Sequence, residues 1–248
     1  MTFKSIRAKQ EPMISNSKKI KELFTDIAPT YDLLNRAMSG SIDQLWRKRA
    51  VSYLPKKKNL KILDLCAGTL DLSLATLKKF SDAEVIALDF AKEMLEKGKT
   101  KIPKRFQNQI HCIVGDGMFL PFPYEHFDAV LCGFGMRNIP DNPKALAEIH
   151  RVLKPNGKII ILEFFKPSKL SSKLFYATYG KWIIPKLGNW ISKNPNAYQY
   201  LFESIQSYYS VKEFIKILEE SKFSSIQEQP LTASIASIMM GEKTEYSK

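Results

Sequence analysis

Apolar residues along most of the chain fall into two patterns, short continuous runs and runs spaced at helical intervals. The continuous runs predict five β-strands, at residues 61–65, 84–88, 111–114, 127–132 and 158–165. Apolar positions three and four apart predict helices after the first, second and fourth runs, and these helices end near residues 80, 101 and 153. Strands and helices that alternate in this way favour a parallel sheet with helices on both faces.

Helical spacing also appears before the first strand. Ile20, Phe24 and Ile27 fall on one face of a helix, and a second helical segment runs over residues 42–54. The residues at the start of the chain, 1–22, are polar and basic, and we expect them to be mobile.

Further elements follow the fifth strand. Ser210 and Glu213 have the spacing of a capping box, which predicts a helix that begins there. Short apolar segments at residues 225–229 and 234–239 predict two more strands, which would complete the sheet.

Three segments lie outside this regular pattern. Pro and Gly predict a turn at residues 154–157. Residues 168–209 are crowded with Tyr, Trp and Phe and have no α/β alternation, so they predict a helical insert that covers the substrate. We expect most of these aromatics to pack the insert against the body and a few to line a pocket. Residues 242–248 are expected to fray, which leaves residues 23–241 as a single domain.

The net charge distinguishes this chain from an average globular protein. Apolar residues make up 44% and charged residues 25%, which is ordinary, but the net charge is +13. Such an excess predicts an anionic partner, either nucleic acid or a membrane surface, or else reflects a basic proteome. No apolar run reaches the length of about eighteen residues that a membrane span needs. The N-terminus also lacks the apolar core of a signal peptide, so the sequence predicts a cytoplasmic protein.

The cysteines and histidines are few and far apart. None of them has the spacing of a metal site or of a disulfide framework. The sequence therefore predicts no metal, and it assigns no ligand role to these residues, which are Cys66, Cys112, Cys132, His111, His126 and His150.

The loop after the first strand carries the strongest chemical signal. A strand that ends at Asp64 and breaks at a glycine before a helix is the layout of a nucleotide site. The three glycine positions of a dinucleotide loop are occupied here by Cys66, Gly68 and Asp71. A carboxylate at the helix entrance disfavours phosphate and suits a positively charged cofactor such as S-adenosylmethionine (SAM). The alternative is an ordinary turn in which Gly68 takes a positive φ.

Two further loops fit the same kind of site. Asp89 ends the second strand, where a doubly wound fold presents a carboxylate to a ribose diol. Asp116 follows the third strand and could accept a bond from the adenine amino group, with Gly117 leaving space for the ring. The alternative for this pair is a simple Asp-Gly turn.

The loop after the fourth strand suggests residues for the reaction itself. Gly133 and the glycine two residues later permit close approach of the backbone to a ligand. Arg137 brings a fixed charge that could stabilise a phenolate, or it forms a surface salt bridge. Asn138 either caps a helix or binds substrate.

Several segments resemble the ubiquinone/menaquinone biosynthesis C-methyltransferase family, known as UbiE/MenG. The similarity covers residues 20–240 and includes the segments FTDIAPTYDLLN from Phe24, WR at Trp46, LDLCAGTLDLSL, LPFP, GFGMRNIPD, RVLKPNGK, LEFFKP and YQYLFESI. It implies a class I SAM-dependent methyltransferase fold, which is Rossmann-like. Such a fold has a mostly parallel seven-stranded sheet with helices on both faces, here with N-terminal helices and a helical insert after the fifth strand.

The resemblance also implies a reaction, the SAM-dependent methylation of a ring carbon in a prenylated quinol. By motif position it implies SAM contacts at Thr69, Asp89, Asp116 and Gly117. Leu70 departs from the family pattern, since that position usually holds a small residue. Gly133 stands where some ubiquinone-pathway members carry serine, which favours demethylmenaquinol as the substrate.

The full hypothesis assigns a role to each candidate. Asp64 and Asp71 would hold the methionine end of SAM. Asp89 would hold the ribose, and Asp116 would hold the adenine. The catalytic candidates near the substrate ring are Arg137, Tyr31 and Asn138. The general base would be water or Tyr31.

Three rival functions remain open from the sequence. They are a related ubiquinone-pathway methyltransferase, an RNA methyltransferase supported by the charge alone, and a protein that binds SAM without transferring its methyl group. The loop after the fourth strand lacks the N/D-P-P-Y/F motif common in amino-directed nucleic-acid methylases, so we expect no nucleic-acid partner.

A prenylated substrate would also bring the protein to a membrane. The basic N-terminus, residues 56–58 and the lysines of the insert favour peripheral contact with an anionic surface at the inner face of the membrane. The alternative is a freely soluble protein that meets its substrate in brief collisions. The sequence makes no prediction of oligomeric state.

Overall fold

The computed structural model describes residues 17–167 and 196–244. Its strands are β1 (Lys61–Leu65), β2 (Glu84–Asp89), β3 (Ile110–Val114), β4 (Phe127–Gly133), β5 (Leu153–Glu163), β6 (Phe223–Leu231) and β7 (Ala236–Lys243). They form one seven-stranded sheet in the order β3-β2-β1-β4-β5-β7-β6.

The helices of the described residues surround this sheet. They are α1 (Ser17–Ile27), α2 (Tyr31–Ser39), α3 (Ile42–Val51), α4 (Asp71–Lys79), α5 (Lys92–Lys99), α6 (Asn142–Val152), α7 (Asn196–Ser207) and α8 (Val211–Glu220). Short 3₁₀ turns occupy Lys104–Phe106 and Met136–Asn138.

Strands β1 to β5 run parallel, and β7 runs antiparallel to both β5 and β6. The predicted fold class is therefore confirmed, including the two strands that complete the sheet. This order places the switch point between β1 and β4, and ligands of such sheets bind beyond the carboxyl ends of these strands.

Both faces of the sheet are buried, which explains the continuous apolar runs in the sequence. Neighbouring residues of a strand point to opposite faces. Leu63 of β1 belongs to a core formed with α6 and α8, whereas Ile62 belongs to a core formed with α3, α4 and α5. Val130 and Leu131 of β4 divide in the same way. Helices therefore cover both faces, as the sequence predicted.

The structure corrects two local predictions. The turn at residues 154–157 does not separate α6 from the next strand, because Leu153 already pairs with Phe127 of β4. The segment forms an irregularity within β5, with Asn156 at a φ of 60°. The sequence analysis also missed α2, a short helix with one buried leucine, Leu34.

The segment boundaries differ slightly from the sequence estimates. Helix α1 begins at Ser17, before the boundary at 23, and β7 ends at Lys243 rather than at 241. The capping box of α8 is confirmed, because Ser210 accepts a bond from the Glu213 amide and Glu213 accepts one from the Ser210 amide. Most of the proposed insert lies outside the described residues, and its described part contains α7.

Leu70, the residue that departs from the family pattern, is packed against α5. It is fully buried and has a φ of 67°. A Cβ atom placed on Gly98 would lie 2.5 Å from Leu70 Cγ, so the leucine fills the space that this glycine leaves. The side chain therefore belongs to the core between the loop and α5.

Gly98→Ala should lower the free energy of unfolding, although alanine ordinarily favours a helix by about 1 kcal/mol over glycine. The new methyl group would also lie 2.9 Å from the backbone of Thr69. Overpacking of this kind costs about 1–3 kcal/mol. Urea denaturation would measure the change.

A double-mutant cycle with Leu70→Ala tests whether the Leu70 side chain causes the steric clash with a methyl group at position 98. Gly98→Ala should be less harmful in the Leu70→Ala background than in the wild type, because part of the clash has been removed. A Gly98→Ala variant more stable than the wild type would show that the two residues do not crowd each other.

Candidate active site

The loop after β1 is held in place by the end of β2. Cys66 and Gly68 both adopt positive φ angles. The amide of Gly68 donates to Asp89 Oδ2 at 2.8 Å, and the amide of Ala91 donates to Asp89 Oδ1 at 2.8 Å. Burial raises the pKa of Asp89 to about 6, although these amide bonds partly oppose the effect. Asp89 thus lies at the predicted edge and also anchors the loop.

Asp64 lies at the end of β1, before the same loop, and only one of its carboxylate oxygens accepts a hydrogen bond from the described residues. Its Oδ2 accepts a hydrogen bond from Ser73 Oγ at 2.6 Å. Its Oδ1 is buried and has no hydrogen-bond partner among the described residues. Burial raises the pKa of Asp64 to about 7, and the bond from Ser73 opposes this only in part. A buried acceptor without a partner is costly, and it suits a donor supplied by a ligand.

Thr69 and Asp71 connect the loop to α2. The Thr69 hydroxyl donates to Asp32 Oδ1 at 2.5 Å, and Lys101 Nζ donates to Asp32 at 2.8 Å and to Asp71 at 2.7 Å. Arg36 also donates to Asp71 at 2.6 Å. Burial raises the pKa of Asp71, but the charges of its basic neighbours outweigh this and hold it below the ordinary value. The charge of Asp71 is therefore balanced by cations of the chain itself.

Asp116 and Gly117 form the turn after β3. Asp116 is exposed, and its Oδ1 accepts a bond from the Met118 amide at 2.8 Å, as in an Asp-Gly turn. Gly117 is buried, and a Cβ there would lie 3.2 Å from Ile139 and 3.3 Å from Leu65. Gly117 therefore packs closely against the side chains at the end of β1.

Gly133, at the end of β4, makes room for an arginine. A Cβ at this position would lie 3.2 Å from Arg47 Nη1. Arg47 projects from α3, and its guanidinium lies 5.2 Å from the ring centre of Phe134. The close approach that the sequence predicted at Gly133 therefore involves a side chain of the N-terminal helices.

A cavity of about 380 Å³ lies between the N-terminal helices and the loops after β4 and β5. Its lining is mostly apolar and aromatic. Phe134 and Phe164 stack with their ring centres 4.6 Å apart, and Trp46 packs against both rings. The polar side chains of its wall include Tyr31, Asn35, Asp43, Arg47, Arg137 and Tyr200.

Arg137 lies in this wall and forms a buried ion pair. Its Nη1 donates to Glu163 Oε1 at 2.5 Å and to the Phe134 carbonyl at 3.1 Å, and its Nε donates to Ser204 Oγ at 3.3 Å. Glu163 is fully buried, so the pair is not the surface salt bridge that the sequence left open. The Nη2 atom has no hydrogen-bond acceptor among the described residues.

Tyr31 and Tyr200 bring two phenol groups to the cavity. Burial raises the pKa of Tyr31, while the charge of Arg47 opposes the rise. Burial also raises the pKa of Tyr200 to about 12. Both hydroxyls are therefore neutral near pH 7 and can donate hydrogen bonds.

Asn138 supports the site from behind the cavity wall. Its Oδ1 accepts a bond from the Tyr200 hydroxyl at 2.8 Å, and its Nδ2 donates to the Phe134 carbonyl at 3.4 Å. It does not cap α6, because Asp141 does so by accepting a bond from the Lys144 amide. The capping role considered for Asn138 is therefore wrong.

The sequence analysis missed four residues of this site: Asp43, Arg47, Glu163 and Tyr200. The spacing of Asp43 and Arg47 on a helix predicts an ion pair, and their Nε–Oδ2 distance is 3.5 Å. Glu163 sits at the end of an apolar strand, where a buried carboxylate requires a partner. No signal in the sequence singles out Tyr200 among the aromatics around it.

The described residues contain neither a metal site nor a membrane-spanning helix. Within residues 17–167 and 196–244, no group of three or more His, Cys, Asp or Glu side chains lies close enough to hold a metal ion. No helix in the described part of the chain is long and apolar enough to cross a membrane.

Comparison with known proteins gives a consistent result. The model of the ubiE/COQ5 methyltransferase family matches residues 12–243. The chain is 40% identical to the demethylmenaquinone methyltransferase of Thermus thermophilus, a match that covers 89% of this chain and 100% of that protein. It is 35% identical to the demethylmenaquinone methyltransferase of Staphylococcus aureus, with 92% and 95% covered.

Solved structures share the fold at low sequence identity. The [4+2]-cyclase SpnF superposes with a TM-score of 0.69 at 12% identity, with 92% of this chain and 97% of that chain covered. A putative methyltransferase in complex with the Haloferax volcanii Trm112 activator has a TM-score of 0.65 at 15% identity, with 90% and 99% covered. These similarities concern the fold alone.

Asp64→Asn should change how stability depends on pH. The folded-state pKa of Asp64 lies above the ordinary value of 3.8, so the wild-type protein loses stability as the pH rises from about 4 to about 7. The asparagine cannot ionise and lacks this loss, which amounts to a few kcal/mol at about 1.4 kcal/mol for each pKa unit. Denaturation at several pH values would measure this, and the free energy of unfolding of the variant should increase relative to that of the wild type as the pH rises.

Ser73→Ala provides the control for this measurement, because it removes the hydrogen bond to Asp64 but leaves the titrating group. A constant difference between Asp64→Asn and the wild type from pH 4 to pH 8 would show that Asp64 has an ordinary pKa.

Proposed function

The chain belongs to the ubiE/COQ5 methyltransferase family, and we propose that it methylates a ring carbon of demethylmenaquinol, with SAM as donor, to form menaquinol. The family model covers nearly the whole chain, and this match carries the assignment of a SAM-dependent methyltransferase. The names of the relatives described above indicate the substrate. The aromatic cavity between the N-terminal helices and the loops after β4 and β5 supports this choice.

The residues around the loop fit SAM. The buried Asp64 Oδ1 has no hydrogen-bond partner among the described residues, and it would accept a bond from the amino group of the methionine moiety. Asp89 would bind the ribose, because each carboxylate oxygen that accepts one amide bond keeps a second lone pair. Asp116 and Gly117 would border the adenine. When bound, SAM supplies an electrophilic methyl group on its sulfonium.

Thr69 and Asp71 would act in a different way from the one the sequence suggested. Their side chains already bind Asp32, Arg36 and Lys101 of the chain. We assign them to holding α2 over the loop, so that the methionine end of the cofactor is shielded from water. Gly133 would serve the same end by admitting Arg47.

The cavity suits a flat ring with an apolar tail. The stacked rings of Phe134 and Phe164 and the indole of Trp46 offer faces and edges against which an aromatic ring packs. The ring must be the reduced hydroquinone, because the carbons of an oxidised quinone are too electron-poor to attack a methyl group. Apolar residues of α1 and α2 continue the wall and would contact the prenyl chain.

Arg137 would make the ring carbon more nucleophilic. Deprotonation of a ring hydroxyl raises the electron density of the carbon, and a fixed cation in a dry site stabilises the resulting phenolate. Glu163 holds the guanidinium in position and leaves Nη2 as the donor for the substrate oxygen. The neutral hydroxyl of Tyr31 is a poor base, so we assign it to hydrogen bonding with the ring and assign proton removal to water. Asn138 would orient Tyr200.

A prenylated quinol stays in the bilayer, so we also propose that the protein works in contact with an anionic membrane surface. Basic residues near an anionic leaflet each contribute about 1 kcal/mol to binding. Lys57 is one of the basic residues predicted to take part, and its Nζ already forms an ion pair with Asp128 at 2.7 Å. The lysines predicted in the insert lie outside the described residues.

The assignment is tested by supplying three acceptors to the purified protein with methyl-labelled SAM. Label should enter demethylmenaquinol, while oxidised demethylmenaquinone and bulk cellular RNA should remain unlabelled. Transfer to RNA without transfer to the quinol would overturn the assignment. SAM binding without transfer to any acceptor would indicate a protein that binds SAM for another purpose.

Replacing the ion pair in the cavity wall should slow the reaction and leave cofactor binding intact. The double variant Arg137→Gln/Glu163→Gln removes the donor without leaving a buried charge unpaired. Loss of a single donor to a developing oxyanion lowers kcat by about 10²–10³-fold. Steady-state kinetics and SAM calorimetry would separate the two effects.

Arg105→Gln is the matched control, because it removes an exposed arginine outside the cavity. It should turn over at the wild-type rate. If the double variant keeps the wild-type kcat, Arg137 and Glu163 have a structural role only.

A further inference from the structure

Helix α3 separates the apolar cavity from a second one of different character. The second cavity also measures about 380 Å³ and lies between α3 and α4. Arg47 lines both cavities, so they share a wall. Five of the residues that line the second one are basic and one is acidic: Arg36, Arg47, Lys48, Lys78, Lys79 and Asp71.

The charges of this groove are only partly balanced. Arg36 and Arg47 are paired with Asp43 and Asp71. The remaining three, Lys48, Lys78 and Lys79, are exposed, and none of them has a carboxylate within 4.0 Å among the described residues. The groove therefore retains three positive charges around a concave surface, which favours an anionic occupant.

Two exposed leucines lie on α2 and α3, which both contribute residues to this basic groove. The relative exposure of Leu33 on α2 is 60% and that of Leu45 on α3 is 61%. Leu45 lies three residues before Lys48 and four before Arg49, so all three occupy the outer side of α3. Large apolar side chains beside lysine and arginine on a helix surface are typical of helices that rest at a membrane interface.

We propose that the outer surface of α2, α3 and the C-terminal end of α4 is the membrane-docking surface of this protein. Lys48, Lys78 and Lys79 bind the phosphate groups of anionic phospholipids, and Leu33 and Leu45 insert among the acyl chains. The choice of a bilayer as the occupant rests on the prenylated substrate of the proposed function. The basic groove and the exposed leucines are independent of it.

The position of α3 explains why docking here would serve catalysis. Ile42 and Trp46 of the same helix line the apolar cavity, and Ile42 is itself partly exposed. A membrane in contact with the outer side of α3 would therefore lie close to the ring-binding pocket, and the exposed Ile42 marks where a prenyl chain would enter it.

The test compares the full-length wild-type protein with two variants of equal charge. The docking variant is Lys48→Gln/Lys78→Gln/Lys79→Gln, and the control variant replaces three exposed lysines that line neither cavity: Lys92, Lys97 and Lys104. Co-sedimentation is measured with vesicles of phosphatidylcholine, with and without phosphatidylglycerol. A third variant, Leu33→Ser/Leu45→Ser, tests insertion.

The docking variant should lose binding to anionic vesicles on the order of a hundredfold, as expected for three basic groups near the leaflet. The control variant should stay within about threefold of the wild type, because its charges lie away from the surface. The leucine variant should bind less to both kinds of vesicle. Equal losses in the docking and control variants would overturn the proposal, since net charge alone would then explain binding.

Two further measurements keep this proposal distinct from the proposed function. The docking variant should methylate a water-soluble quinol with a shortened tail at the wild-type rate. If the wild-type protein does not methylate this quinol, the proposed function is rejected, but the proposed docking surface is not. Saturable binding of inorganic phosphate by the wild type, as strong as its binding to vesicles and abolished in the docking variant, would identify a site for a soluble anion and overturn membrane docking.

Discussion

The cavity depends on the ionic network that fastens the N-terminal helices to the loop after β1. Asp32 and Arg36 of α2 are joined to Thr69 of the loop and to Asp71 at the start of α4, and Lys101 bridges the two carboxylates. Helices α1, α2 and α3 supply much of the apolar lining. Helix α3 is also held by its own core residues, such as Trp46 and Val51, whereas α2 buries one leucine and depends more on this network. Because the pairs are only partly buried and alternate in sign, each carboxylate has a partner and the desolvation cost is shared.

Carboxylates at this edge of the sheet have pKa values shifted in opposite directions. Asp71 sits among cations, which hold its pKa below the ordinary value, whereas burial is the dominant effect at Asp64 and Asp89 and raises their pKa values. Groups whose environments separate their pKa values commonly have different roles at a site. Here the ionised Asp71 fits a structural ion pair, and the unsatisfied Asp64 fits contact with a cationic ligand.

The fold by itself does not determine this chemistry. A protein named as a [4+2]-cyclase shares the fold at 12% identity, so the sheet is a scaffold on which different reactions occur. The chemistry proposed for this chain depends on the edge of the sheet, where the N-terminal helices, the Arg137–Glu163 pair and the aromatic walls meet. These features come from segments far apart in sequence, and they meet because the carboxyl ends of β1, β4 and β5 are neighbours.

The sequence by itself determined the sheet, its flanking helices and the family. Five buried strands have continuous apolar runs because both faces of the sheet are covered, and the loop motifs at Asp64, Asp89 and Asp116 follow strand ends that the runs locate. Only the tertiary structure decided which polar residues are free to act. Partners of Asp71, Asn138 and Arg137 lie tens of residues away, and no local pattern encodes such pairings. Helix α2 was missed for the same reason, because contacts with the distant loop stabilise it more than its own short apolar face.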